Sequence, residues 1–194
     1  PAPTATTAPT PLPPTPVPPT QEPTATPLPE LSGDPVRGGK LYDKWWEELG
    51  LEEPTGDQPL WKTQTTNTRT GADTWRCKEC HGWDYKGMEG AYGSGSHKTG
   101  FVGVMGAAGK DPHEVLAILK GSANPDHDFS TVMDEQALID LALFLGQELM
   151  DDSAIVAADK ASVNGQADAG KVIFEDNCIQ CHGPQGTAVS FSDE

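Results

Sequence analysis

Two five-residue motifs constrain this chain more than anything else in it. Cys77-Lys-Glu-Cys80-His81 and Cys178-Ile-Gln-Cys181-His182 share the pattern C-x-x-C-H, and together they use every cysteine of the 194 residues. A zinc ribbon needs its two C-x-x-C pairs roughly 15–20 residues apart; here about a hundred separate them. A thioredoxin-like dithiol needs no histidine after each pair, and no strand-helix-strand pattern surrounds either. Disulfides inside such short loops are disfavoured as well.

The remaining chemistry is covalent haem attachment. Two thiols three residues apart on a turn of helix can each add to a haem vinyl group, and the adjacent histidine turns its imidazole to the iron. The reading assigns Cys77, Cys80, Cys178 and Cys181 as covalent anchors of two haem c groups, with His81 and His182 as proximal iron ligands. A bound haem lets a small domain use the cofactor as its core.

The first thirty residues hold twelve of the eighteen prolines and eight threonines, with no aromatic residue. Such a segment cannot bury enough apolar surface to offset its ordering entropy. Residues 1–32 therefore read as a disordered Pro/Thr-rich tether, of polyproline II character, reaching on the order of 90 Å when extended. The ends of the sequence suggest a piece of a longer polypeptide, with any membrane anchor upstream. No apolar run approaches the roughly 18 residues of a membrane span. With 13 basic against 29 acidic residues the net charge is −16, which excludes nucleic acid as a partner and suits a basic redox partner.

Asp34-Pro35 reads as an N-cap followed by proline at the first helical position, opening a helix to about Leu49 that Gly50 stops. Residues 51–74 lack helical periodicity and form a long loop. A short helix carries Cys77 to Trp83. Eight glycines between 87 and 109 mark irregular backbone, read as passing close over a haem. Asp111 caps another helix, with Glu114 placed for a capping box and Gly121 at its end. The last helix of this unit runs from Asp134 to about Leu149, with Leu138, Leu141, Ala142 and Leu145 on its apolar face. Residues 151–165 read as a linker, and a second unit spans 166–194 with one helix from Ala169 to about Asn177. The two units repeat: Gly38 precedes Tyr42 by four residues, as Gly170 precedes Phe174. Phe174 lies four residues before Cys178, whereas Tyr42 lies thirty-five before Cys77. Unit one thus carries an insertion of about thirty residues, 51–74 being its core.

These features resemble a dihaem protein built from class I cytochrome c domains, of a bacterial extracytoplasmic type. The stretch Met133-Asp-Glu-Gln-Ala-Leu-Ile-Asp-Leu-Ala-Leu-Phe144-Leu145 is similar to that family's final helix, and Thr74 to Gly87 resembles a dihaem subgroup. The resemblance covers residues 33–150 fully and 166–194 in part. It implies an all-α fold: a cytochrome c-like helical domain around its haem, then a truncated second one. It also implies that Gly38 and Tyr42 meet near Phe144, that the location is extracytoplasmic, and that the partners are a redox donor and acceptor.

The sixth ligand of the first haem is open between several residues. Met133 precedes the last helix, but with Asp134 as N-cap it occupies N′ and Leu138 occupies N4, the pair of a hydrophobic staple. His127, six residues earlier, lies in the ligand loop of the resembled family and is preferred; Met133 is the alternative, and Met88, Met105 and His97 remain. Asp126 and Asp128 beside His127 are expected to raise its pKa. The second unit has no methionine or histidine after His182. All five tryptophans fall between 45 and 83 and are expected to pack around the first haem and under the inserted loop. Arg76, Lys78, Lys86 and Lys98 could pair with haem propionates, form a docking patch, or be ordinary solvated charge. The function expected is electron transfer by a dihaem c-type cytochrome. The alternative is a dihaem oxidoreductase, a small sulfur compound dehydrogenase or a peroxidase, with one open iron.

Overall fold

The computed structural model describes residues 28–157 and 163–188. The tether, the middle of the 151–165 linker and the end of the second unit therefore fall largely outside the described residues. The chain divides into Pro1–Glu30 and Leu31–Glu194, and every described helix lies in the longer of these two parts.

The longer part is all-α: six α-helices are described, with short 3-10 turns between them. They are α1 Pro35–Leu49, α2 Cys77–His81, α3 Pro112–Leu119, α4 Glu135–Gln147, α5 Ala167–Asn177 and α6 Ile179–His182. Pairing among the described residues is limited to isolated bridges such as Gly87 with Val102. No helix among them is long and apolar enough to cross a membrane.

Local chemistry sets the helix ends. The Asp34 carboxylate accepts from the Val36 and Arg37 N–H groups at 2.9 and 3.2 Å, Pro35 fits the first turn, and Gly50 closes α1 at φ +62°. The Asp134 carboxylate accepts from Ala137 N–H at 2.8 Å and opens α4. Asp111 caps α3 through His113 N–H, while Glu114 forms no reciprocal bond among the described residues. α2 ends at His81 rather than Trp83, because Gly82 leaves helical space at φ +83°. α5 begins at Ala167, two residues before the expected start.

α1 and α4 cross closely. A Cβ on Gly38 would lie 2.1 Å from the Asp140 carbonyl oxygen and 2.7 Å from Phe144 Cβ. Only glycine permits that approach. Tyr42 sits 6.0 Å from Phe144, ring centre to ring centre, so the expected meeting of Gly38, Tyr42 and Phe144 occurs. Leu41, Leu138 and Leu141 are fully buried at the crossing, each worth about 1.5–3 kcal/mol of removal from water. Asp140, almost fully buried, clamps it: its carboxylate accepts from Asp34 N–H at 2.8 Å, Arg37 Nη1 at 2.7 Å and Gln136 Nε2 at 2.9 Å. Burial pushes the Asp140 pKa up, but the three donors outweigh it and hold the carboxyl below its usual range.

α5 and α6 differ. Neither contains a buried residue, and Val172 and Ile173 are exposed.

Candidate functional site

α2 is only five residues long, so its position depends on what grips it. The Tyr42 hydroxyl of α1 donates to the Gly82 carbonyl at 2.8 Å. After α2 the chain turns back through Tyr85, a non-glycine at φ +64°, and residues 85–87 lie directly against 101–104. Val104 N–H donates to Tyr85 O at 2.7 Å and Met88 N–H to Phe101 O at 2.9 Å. Added Cβ atoms on Gly87 or Gly103 would meet backbone at 2.4–2.6 Å. These glycines serve a backbone-on-backbone crossing. That crossing delivers the Val102 carbonyl to His81, whose Nδ1 lies 2.7 Å away.

Cys77, Cys80 and His81 open onto a cavity of about 490 Å³, within the 300–1,000 Å³ range of cofactor and ligand sites. Its far wall is largely apolar and includes Phe129, Leu119, Leu141 and Leu145, with His127 among them. The two imidazoles stand edge to face, ring centres 6.1 Å apart and planes at 73°.

Burial drives both histidines toward the neutral form. The His81 pKa is pushed down to about 4, and the neighbouring His127 adds to the fall. His127 is lowered too, again chiefly by burial. This corrects the expectation that Asp126 and Asp128 raise it. The Asp128 carboxylate is turned onto Ser130, accepting from its N–H and hydroxyl. What the chain uses of Asp126 is its carbonyl, which accepts from Gln58. Val102 O accepts the His81 Nδ1 proton, and Ile118 O lies 3.4 Å from His127 Nδ1. Each ring therefore keeps Nε2 as its lone-pair atom, the arrangement by which backbone partners fix the tautomer of a metal-binding histidine.

Cys77 and Cys80 are free thiols whose pKa values burial pushes up to about 12, so both carry their protons at neutral pH. Among the described residues no group of three or more His, Cys, Asp or Glu converges to hold a metal ion unaided. An apolar cavity lined by two cysteines and two histidines has the residues that would hold a large, mainly apolar cofactor.

The other candidate ligands point elsewhere. Met133 is buried in the helical core and is not part of the cavity wall. Met105 and Met88 line a separate groove. His97 stacks on Tyr92 at 4.7 Å. The cations near the first motif are largely engaged by carboxylates: Arg76 by Asp43 and Asp73, Lys78 by Asp43, Lys86 by Asp152. Trp45, Trp46 and Trp61 are buried as expected, but Trp83 is 64% exposed, because the turn at Gly82 throws it outward.

Glu79, inside the first C-x-x-C, is a residue that sequence reasoning passes over. It is 2% exposed, with Arg69 Nε and His97 Nδ1 each 3.6 Å from its Oε2. That oxygen has no hydrogen-bond partner. A charged residue at a variable position carries no signal of burial; the long loop buries it from outside.

In the second motif Cys178 is partly covered and Cys181 exposed. The described segment 163–188 contains no second histidine and no methionine to face His182. No family model, curated protein or solved structure matches this chain.

Proposed function

We propose that the chain is a c-type cytochrome that carries single electrons, with one haem c on each C-x-x-C-H motif. The reading rests on one observation above all: His81 and His127, ring centres 6.1 Å apart, border the same largely apolar cavity as Cys77 and Cys80. Cys77 and Cys80 would hold the group through thioether bonds, and His81 and His127 would hold its iron. Bound there, the group would supply reversible one-electron chemistry. The chain's part is to exclude water, fix both ring tautomers and hold the rings still. Cys178, Cys181 and His182 hold the second group. Attachment of this kind places the protein outside the cytoplasm, with redox proteins as donor and acceptor.

A dihaem oxidoreductase is the second reading, favoured by the inserted loop 51–74, of which Gln58, Leu60 and Thr74 line the cavity. Both readings are tested on the full chain expressed with haem-attachment machinery. Two covalently bound haems per chain are expected, falling to one in the Cys77→Ala/Cys80→Ala variant. Carbon monoxide should leave the first centre unchanged, and His127→Ala should open it. A chain that takes up no covalent haem overturns the proposal. Turnover at a carbon-monoxide-binding centre would move the reading to the oxidoreductase.

A further inference from the structure

A second hollow of about 790 Å³ lies on the outer side of the first motif. Val102, Gly103 and Gly106 line both it and the inner cavity, so the two spaces share that segment as a wall. The outer groove presents large apolar side chains to water: Trp83 at 64%, Val102 at 66% and Met88 at 47% exposure. Exposed apolar surface gathered in one hollow marks an interaction site, and tryptophan is enriched where such sites carry their binding energy.

The groove's charge selects the partner. Lys86 is the one cation among the described lining residues, against Asp84, Glu89 and Asp152. Asp84, Asp151 and Asp152 all act on Lys86 and, led by its bond to Asp152, hold its ammonium proton more tightly than usual. A second copy of this chain is itself strongly acidic. The 163–188 segment carries three carboxylates against one lysine. Both are like-charged with the groove, and like charges in apposition oppose docking.

We infer that this groove is where an external redox protein docks, one with an apolar contact ringed by lysines and arginines. The inference rests on the electron-carrier reading. His81 donates through Nδ1 to the Val102 carbonyl, and Val102, two-thirds exposed, lines the groove. One hydrogen bond and one residue therefore separate the His81 imidazole from the docked surface. In the transfer one electron leaves the chain and the partner gains it; no bond is made or broken and no proton moves. The groove is small, as suits encounters that bury less than about 1,200 Å² and release quickly.

The test uses the full, haem-loaded chain. A basic c-type cytochrome serves as probe acceptor and an acidic copper protein as control, mixed by stopped flow at low and high salt. The basic probe should be reduced faster by about tenfold or more at low salt, with the advantage shrinking as salt screens it. Glu89→Lys should slow that reaction about threefold to tenfold, and Trp83→Ser by a similar factor, both with unchanged potential and absorbance. Glu53→Lys makes the same charge change in the 51–74 loop, outside the groove lining, and should alter the rate less than twofold. Equal effects of Glu89→Lys and Glu53→Lys would overturn the inference while leaving the carrier reading intact. So would a dimer that Trp83→Ser dissolves, which would seat a second copy in the groove. Failure to attach haem would instead remove the carrier reading itself.

Discussion

Cys77–His81 and Cys178–His182 share a spacing, a helical turn and a following glycine at positive φ, Gly82 at +83° and Gly183 at +71°. Their surroundings differ. The first motif lies beneath the α1–α4 crossing and opens onto a walled cavity with a second imidazole opposite. The second sits on two helices without a buried residue. The five-residue pattern makes its own turn; the site requires chain from far away.

Gly38 and Gly170, equivalent in the repeat, should break most sharply along this line. Gly38→Ala forces a Cβ into the Asp140 carbonyl and should cost about 3 kcal/mol or more, read from urea unfolding of the first unit. Gly170 has nothing within 4 Å of an added Cβ. Gly170→Ala should raise helicity by circular dichroism and contribute roughly 0.5–1 kcal/mol to α5. Equal responses at the two positions would deny the contrast.

Asp140→Asn should cost about 2 kcal/mol, since three donors lose a charged acceptor. Its pH dependence has a definite sign. The folded carboxyl titrates below its unfolded value of about 3.9, so the unfolded chain binds more protons in that window. The contribution is present above about pH 4 and disappears as pH falls through the lowered folded value. Acid titration of urea midpoints should show a shallower acid limb in Asp140→Asn. Arg69→Gln strips the nearest cation from buried Glu79 and should cost about 1–2 kcal/mol, less than for a fully buried pair because Arg69 is partly solvated; a Glu79→Gln background should largely erase the loss. Met133→Leu is the smallest change. As a volume-conserving core swap it should cost under about 1 kcal/mol and leave the carbon monoxide response of the first centre as it was.

Much of this was legible because it is local. Asp34-Pro35, Asp134 and Gly50 announce their helix ends through side-chain caps and a left-handed glycine. The staple argument that set Met133 behind His127 as a ligand rests on the same short-range rule. His127 could be preferred by its place in the loop, but its electrostatics could not be foreseen. Asp126 and Asp128 are adjacent in sequence, yet their carboxylates do not govern a ring that sinks into an apolar wall. The role of the 87–109 glycines was likewise hidden, since it lies in one backbone segment meeting another. Trp83 was expected to pack because tryptophan usually does; a single positive φ one residue before it reverses the outcome. Glu79 is buried by the long loop, which has no periodicity to reveal what it covers.

The Asp34–Asp140 bond closes a loop whose ends are 106 residues apart, and nearly all of the cavity wall lies inside it. Bringing the ends of so long a loop together costs about 4 kcal/mol of chain entropy before any contact is made. Assembly of this unit is thus a late, non-local event, of the kind that slows folding. The helical turn at Cys77–His81 needs only neighbouring residues, whereas the wall opposite it waits for Leu141 and Leu145 of α4. Until the α1–α4 crossing forms, the two thiols stand open to whatever is in solution; the crossing is what encloses them.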